Sequence, residues 1–333
     1  MIRLSICIPT YNFGRFIEQT LDSILPYINS EVEVVVLDGG SKDNTENIIF
    51  DKQVDYPQLR YCPKKFRGGI DRDIEEVVSL AQGDYCWLFS ADDIMLPGSV
   101  GIVLETIKSN VDVYLCEHVL CDLDMKKIRD YPAFYNITLP RLFDLGSIID
   151  KNKYFCSART SEAFFSFMAG PIFKKKSWDS IQVPESFYGT CWIVAGHLLS
   201  LVPSGLTVSC IGEVLLHKRG ENDSFADKGV VNRHRIAIEG FQHVADTVFG
   251  YRSEEAFNIR RVLKNEITLP ILLMAKLKSS KYPEVEDADL LYSLVKKHYA
   301  DRSFIDVVSY TIYKYMPVLV IQILSLVRNR LLK

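Results

Sequence analysis

Three short polar segments carry residue types suited to binding a charged ligand. Each follows an apolar run: Thr10-Tyr11-Asn12 follows the first, Asp38-Gly39-Gly40-Ser41 the second, and Ser90-Ala91-Asp92-Asp93 the run YCWLF. In a parallel sheet the carboxyl ends of the strands meet at one edge, and ligands bind there. The spacing therefore predicts that the three segments converge on one site.

The adjacent pair Asp92-Asp93 is typical of a cation site. Two neighbouring carboxylates repel each other, and a cation stabilises each of them. Hard divalent ions such as Mg²⁺ or Mn²⁺ take one or two carboxylates together with phosphate oxygens. An ion held here would neutralise a leaving diphosphate. The alternative is that one aspartate only caps the helix that begins at Pro97.

Asp38 ends an apolar strand, and the two glycines after it let the backbone pass close to a ligand. A carboxylate there suits a hydrogen bond to a sugar hydroxyl or to a base N–H. The alternative is a simple turn in which Ser41 caps the next helix. The sequence has no G-x-G-x-x-G pattern, which argues against a dinucleotide cofactor.

The elements that must position these segments alternate between strand and helix. Apolar runs predict strands over residues 3–9, 31–37, 59–62, 85–89 and 111–116, and helical patterns lie between them. This alternation predicts a mostly parallel sheet covered on both faces. Residues 122–170 are aromatic-rich with weak periodicity, whereas residues 230–300 have helical patterns.

Bulk properties argue against several classes of protein. The formal net charge of −3 argues against a general nucleic-acid binder. The N-terminus has no signal-peptide pattern, and no apolar stretch reaches the roughly 18 residues of a membrane span. The eight cysteines include no C-x-x-C pair, so we expect reduced, buried thiols rather than a zinc site.

The runs LSICIPTYN, VVVLDGGSKDNT and AQGDYCWLFSADD resemble, in order and spacing, those of family 2 glycosyltransferases. The resemblance covers the first 120 residues and implies the GT-A fold, a Rossmann-like α/β architecture, here followed by a C-terminal helical region. It also implies a nucleotide-sugar site. The residues at the matching positions are Thr10, Tyr11, Asn12, Asp38, Gly39, Asp71, Ser90, Ala91 and Asp92.

The resemblance extends to the catalytic groups. The family's D-x-D metal motif is present as Ser90-Ala91-Asp92, with serine in place of its first aspartate, and the implied ligands of Mg²⁺ or Mn²⁺ are Asp92, Asp93 and His217. Inverting members place a carboxylate base in the second half, where Glu185 is the carboxylate within residues 184–192. A surface residue would account equally for Glu185, and a solvated loop for His217.

The whole chain also resembles bacterial O-antigen sugar transferases, abequosyltransferases in particular, through its length and the segments FYGTCW and RGENDSF. This implies transfer of one sugar from a nucleoside-diphosphate donor to a polyprenyl-diphosphate-linked oligosaccharide. The specific form is abequose from CDP-abequose to mannose. A nucleotidyltransferase and an inactive membrane-associated scaffold are the alternatives. The processive Q-x-x-R-W signature is absent, which argues against a polysaccharide synthase.

Three regions are predicted: a catalytic domain over residues 1–225, a helical region over 226–302 and an apolar C-terminal helix over 303–333. The apolar residues of this helix are flanked by Lys314, Arg328, Arg330 and Lys333. That composition suits a helix lying among lipid headgroups. We therefore expect a cytoplasmic protein bound peripherally to the inner face of the cell membrane. The alternative is a helix packed on the protein's own core.

Overall fold

The structure is a computed structural model, and it describes residues 1–222 and 228–331, with side chains up to residue 327. Residues 1–222 form one compact unit, and the helices from Gly229 onward form a second. The domain boundary predicted at Phe225 lies outside the described residues, as do Asp223, Ser224, Leu332 and Lys333.

The first unit contains one ten-stranded sheet. Its strands are β1 (Leu4–Thr10), β2 (Val32–Asp38), β3 (Leu59–Pro63), β4 (Tyr85–Leu88), β5 (Ile94–Met95), β6 (Val113–Cys121), β7 (Lys127–Asp130), β8 (Arg141–Asp144), β9 (Pro171–Lys174) and β10 (Thr207–Arg219). The order is β3-β2-β1-β4-β9-β6-β10-β5, with β7 beside β6 and β8 beside β10. Strands β3, β2, β1 and β4 are parallel, and so are β6 and β10.

Seven helices accompany this sheet. They are α1 (Ile17–Ile24), α2 (Thr45–Asp55), α3 (Ile70–Leu80), α4 (Ser99–Thr106), α5 (Ile148–Ser157), α6 (Lys175–Asp179) and α7 (Ile193–Leu201). Every residue of β1 and β2 is buried, which is the pattern of central strands covered on both faces. The predicted α/β class with a mostly parallel sheet is therefore confirmed.

The sequence predicts a helix over residues 41–50, whereas helix α2 begins at Thr45, four residues later. Asp43 is the cause, because its Oδ1 accepts the backbone N–H of Thr45 at 3.1 Å while its Oδ2 accepts that of Gly14 at 2.8 Å. The residues before α2 are thus tied to the loop after β1. They form a bend and a turn ahead of the helix instead of joining it.

The second unit is helical, as predicted. Its helices are α8 (Gly229–His234), α9 (Phe241–Phe249), α10 (Glu254–Glu266), α11 (Leu269–Lys281), α12 (Ala288–His298), α13 (Phe304–Tyr315) and α14 (Val318–Leu331), with a π-helical turn (Arg235–Gly240) before α9. The tail, predicted as one helix, is two helices that differ in direction by 102°. Within the described residues, no single helix has the length and apolarity to cross a bilayer, and only α13 and α14 taken together reach them.

A buried histidine makes the second unit sensitive to acid. His298 is fully buried in α12, and its Nε2 donates to the carbonyl of Ile267 at 3.0 Å. Burial lowers the pKa of His298 to about 4, so protonation favours the unfolded state below pH 6.5. We expect about 2 kcal/mol of unfolding free energy to be lost between pH 7 and pH 5. His298→Gln, which keeps a donor, should flatten this dependence in denaturant titrations; equal slopes for both proteins would contradict the assignment.

Candidate active site

The loops after β1 and β2 are locked together at the carboxyl edge of the sheet. Thr10 and Asp38 are paired in register, and the N–H of Gly39 donates to the carbonyl of Thr10 at 2.8 Å. Asn12, in a left-handed conformation with φ of 57°, accepts the N–H of Lys42 at 2.7 Å. Two of the three predicted segments therefore form one surface.

Asp38 is buried beneath this surface and accepts hydrogen bonds from its backbone. It is 2% exposed; its Oδ1 accepts the N–H groups of Gly40 at 3.0 Å and Ser41 at 2.8 Å, and its Oδ2 accepts the hydroxyl of Tyr61 at 2.8 Å. Burial and the bond to Asp38 raise the pKa of Tyr61, so the phenol stays a donor. A bond from Asp38 to a nucleotide stays a prediction, since both oxygens already have partners.

Two further residues beside these loops were missed by the sequence analysis. The Oδ2 of buried Asp73 lies 3.1 Å from where a Cβ on Gly39 would lie, and its Oδ1 accepts Lys64 Nζ at 2.9 Å. The guanidinium of Arg67 lies 4.2 Å from the ring centre of Tyr11. Asp73 follows the predicted Asp71 by two positions in α3, and nothing in the spacing distinguished them.

The acidic segment after β4 is fastened from two sides. Thr20 in α1 donates its hydroxyl to the carbonyl of Asp93 at 2.9 Å. On the other side, Arg219 donates its backbone N–H to Asp93 Oδ1 and its Nε to the carbonyl of Asp92, both at 2.8 Å. The Nδ2 of Asn222 donates to Asp92 Oδ2 at 2.7 Å. The segment is thus held rigidly beside the end of β10.

Arg219 is 7% exposed, and its guanidinium also donates to the carbonyl of Leu123 and to Gln19 Oε1, the latter at 2.9 Å. It brings a buried positive charge to the acidic pair and satisfies acceptors from three parts of the chain. The sequence showed only a basic residue in a polar run. Its role depends on pairing between β10 and β5, which no local pattern reports.

The electrostatics of Asp92 and Asp93 are those of an incompletely compensated acidic pair. Burial, and then the charge of Asp92, raises the pKa of Asp93 to about 8. Burial also raises the pKa of Asp92, against the opposing effects of the Asn222 hydrogen bond and the Arg219 charge. A cation placed at this pair would stabilise its charged form.

The three predicted metal ligands do not form a ready-made site. Over residues 1–222 and 228–331, no group of three His, Cys, Asp or Glu side chains is close enough to share an ion. Asp93 is buried against Arg219, and His217, whose pKa is lowered by burial, lies on β10 opposite Ile94. Asp92 is partly exposed, and its role as a metal ligand stays a prediction.

The predicted base is on the surface. The Glu185 side chain is 77% exposed and pairs with Arg72, itself 53% exposed. If Glu185 is not the base, the sequence offers Asp122, Asp124 and Asp223 as fallback candidates. Asp122 Oδ1 accepts the N–H groups of Asp124 at 3.0 Å and Lys126 at 2.8 Å in an exposed turn. Asp223, another fallback, lies outside the described residues. The assignment of Glu185 stays a prediction.

Comparison with known proteins identifies a known domain within this chain. The model of "Glycosyl transferase family 2" matches residues 5–167. The chain is 29% identical over 267 residues to abequosyltransferase RfbV of Salmonella typhimurium, covering 79% of each chain. It is 23% identical over 197 residues to GalNAc(5)-diNAcBac-PP-undecaprenol beta-1,3-glucosyltransferase of Campylobacter jejuni, covering 58% of this chain and 59% of that protein.

Solved structures support the same fold. TarS residues 1–349 of S. aureus, in complex with UDP-GlcNAc, superpose with a TM-score of 0.60 at 15% identity, covering 94% of this chain and 90% of that one. The mannosyltransferase PcManGT of Pyrobaculum calidifontis, in complex with GDP-Man and Mn²⁺, superposes with a TM-score of 0.53 at 15% identity, covering 96% and 86%. The chain therefore carries a family 2 glycosyltransferase domain, and it is a glycosyltransferase with the GT-A fold.

Proposed function

We propose that this glycosyltransferase transfers a single sugar from a nucleoside-diphosphate donor to a lipid-linked oligosaccharide during O-antigen synthesis. One observation carries the proposal. Hydrogen bonds from Arg219 and α1 hold the acidic segment at Asp92 at the edge of the sheet where β1 and β2 end and their loops begin. A diphosphate bridging these segments would present its sugar to an acceptor.

The donor is proposed to lie against residues from all three segments. These are Thr10, Tyr11, Asn12, Asp38, Gly39, Ser90, Ala91 and Asp92. Gly39 supports this because its backbone runs close to the side chain of Asp73, where an added Cβ would lie 3.1 Å from Asp73 Oδ2. CDP-abequose is the specific donor we propose, and the named Salmonella relative supports it.

A divalent ion, Mg²⁺ or Mn²⁺, fits the chemistry of Asp92. Its carboxylate is partly buried, burial raises its pKa, and the nearby positive charges offset this only in part. With one protein carboxylate, the remaining ligands would be diphosphate oxygens and water, as is common for Mg²⁺. When bound, the ion neutralises charge on the leaving diphosphate. The Mn²⁺ in the PcManGT complex supports the choice.

The proposed function is tested by incubating the purified chain with CDP-abequose, Mn²⁺ and a mannose-terminated polyprenyl-diphosphate oligosaccharide. We expect CDP release that depends on the acceptor, with one sugar added per acceptor. Consumption of a nucleoside triphosphate with pyrophosphate release would indicate a nucleotidyltransferase instead. Nucleotide binding with neither transfer nor hydrolysis, across a panel of nucleotide-sugars, would indicate an inactive scaffold.

The C-terminal helices are proposed to contact the membrane that carries the acceptor. One face packs inward, since Tyr313 and Ile321 are buried and Lys276 Nζ donates to the carbonyls of Tyr313 and Met316. The other face is apolar and exposed: Phe304, Ile305, Val307, Tyr315, Leu319, Ile323, Leu324, Leu326 and Val327. An exposed apolar face beside Lys314 suits insertion among lipid headgroups. The side chains of Arg328, Arg330 and Lys333 lie outside the described residues.

Charging the exposed face should release the protein from membranes. Leu319 is 67% exposed and Ile323 is 52% exposed, so Leu319→Asp with Ile323→Asp leaves the inward face intact. Each side chain contributes roughly 1.5–3 kcal/mol when removed from water, and we expect vesicle affinity to fall at least 100-fold. Sedimentation with phosphatidylglycerol-containing vesicles measures this. Phe257→Asp with Val285→Asp, at similarly exposed sites, is the control; equal loss in both proteins would contradict the proposal.

A further inference from the structure

Asp71 joins the first turn of α3 to the segment Gly189–Ile193. Its side chain is buried, with 4% exposure. Asp71 Oδ2 accepts the backbone N–H groups of Gly189 at 2.7 Å and of Cys191 at 3.0 Å, and Oδ1 accepts that of Ile193 at 3.3 Å. Because three alternate N–H groups converge on one carboxylate, the segment forms an anion nest around Asp71.

The backbone of this segment depends on that carboxylate. Gly189 has φ of 83° and Cys191 has φ of 68°, both in the left-handed region. Cysteine adopts such a φ only where the surroundings enforce it. Left-handed residues at alternate positions turn the N–H groups that bind Asp71 to one side. The charge of Asp71 keeps them there.

Two more contacts from α3 hold the flanks of the segment. Glu75, one turn after Asp71, accepts the hydroxyl of Tyr188, and its Oε1 lies 2.7 Å from His197 Nε2. The guanidinium of Arg72 lies 4.4 Å from the ring centre of Tyr188. Helix α3 therefore contacts the chain on both sides of residues 189–193.

The same turn of α3 also borders the proposed nucleotide loops. Asp73 lies beside Gly39 and binds Lys64, as described above. On α3, Asp73 thus faces the proposed nucleotide loops. The carboxylate of Asp71 instead accepts three N–H groups of Gly189–Ile193. Thr190, Cys191 and Trp192 in that segment are partly exposed, so the segment presents a surface to a second substrate.

We infer that Asp71 is a positioning residue that holds Gly189–Ile193 as the acceptor-side wall of the active site, and that it does not bind the nucleotide. The acceptor is the hydroxyl-bearing oligosaccharide of the proposed function, on which this inference rests. The nucleotide role implied by family resemblance predicts the opposite kinetic result, so the two assignments can be separated.

Asp71→Asn and Asp71→Ala are compared with the parent protein for two quantities. These are the KM for a mannose-terminated polyprenyl-diphosphate oligosaccharide and the calorimetric Kd of CDP with Mn²⁺. We expect the acceptor KM to rise at least tenfold, while the Kd of CDP stays within twofold. The control is Asp112→Asn, because Asp112 also accepts a backbone N–H, that of Thr207 at 3.1 Å, at the opposite edge of the sheet.

A second pair of variants tests the backbone without relying on Asp71 alone. Cys191→Val resists a left-handed φ because valine is β-branched, and it should raise the acceptor KM with CDP binding intact. Asp71→Asn combined with Cys191→Gly should recover part of the lost acceptor affinity, since glycine adopts that φ without help. These variants decide the matter if Asp71→Asn or Asp71→Ala fails to fold.

A weakened Kd of CDP with an unchanged acceptor KM would assign Asp71 to the nucleotide and overturn the inference. Unchanged values of both in the Asp71 and Cys191 variants would overturn it as well. Failure of the parent protein to transfer sugar would instead refute the proposed function. The assay of the parent protein reports that outcome separately.

Discussion

Asp92→Asn should lower sugar transfer by about 10²–10³-fold while the protein stays folded. An amide is a weaker ligand than a carboxylate for a hard divalent ion, so binding of Mn²⁺ with CDP should weaken in parallel. The melting temperature should hold or rise, because the charge of Asp92 is one cause of the raised pKa of Asp93. Transfer rates measured against Mn²⁺ concentration, with calorimetry, test both expectations.

The matched control for this variant is Asp84→Asn. Asp84 precedes the same strand, β4, at its opposite end and is exposed, so it should leave transfer and Mn²⁺ binding unchanged. Undiminished transfer by Asp92→Asn, or full transfer by the parent protein in EDTA, would refute a metal role for Asp92.

Arg219→Met should destabilise the first unit and abolish transfer. Removal of the guanidinium leaves the Asp92 and Leu123 carbonyls and Gln19 Oε1 without a donor, and it leaves the acidic pair without its buried counter-charge. A buried acceptor left unsatisfied costs about 1–3 kcal/mol, and a total loss of about 3–5 kcal/mol would lower the melting temperature by roughly 6–20 °C. Thermal unfolding of the purified protein measures the change.

Two further variants accompany Arg219→Met, a surface control and a double variant. Arg3→Met removes a partly exposed arginine whose pairing with Glu31, at 3.7 Å, is at the surface, so its cost should stay under about 1 kcal/mol. Adding Asp92→Asn to Arg219→Met should return part of the lost stability, because the buried carboxylate whose charge Arg219 offsets is then replaced by a neutral amide. An Arg219→Met protein that melts and turns over like its parent would show that Arg219 does not organise the acidic segment.

Much of the catalytic unit was predictable from local patterns. Strands β1, β2 and β4 are mostly apolar, because both faces of a central parallel strand are buried. The polar residues directly after them had to lie at one edge, because parallel strands share an orientation. The alignment of Thr10 with Asp38 in the structure follows from that geometry.

The partners of those residues were not predictable in the same way. Asp71 binds N–H groups more than 115 residues away, and Arg219 reaches an acidic segment more than 120 residues away. Hydrophobic periodicity reports which face of an element is buried and not which distant loop meets its end. For the same reason the pattern could not separate Asp71 from Asp73, although the structure directs one to residues 189–193 and the other to Gly39.

The C-terminal tail also had features that the sequence predicts and features that only the fold decides. Its composition predicted an apolar helix over residues 303–333, with the amphipathic character suited to an interface. The bend of 102° and the assignment of Tyr313 and Ile321 to the interior came only with the fold. Local sequence thus determined the elements and the polar residues at their ends, because propensity and burial act over a few residues. Tertiary structure decided which of these side chains are held by distant backbone, because such contacts depend on chain pairing across the sheet.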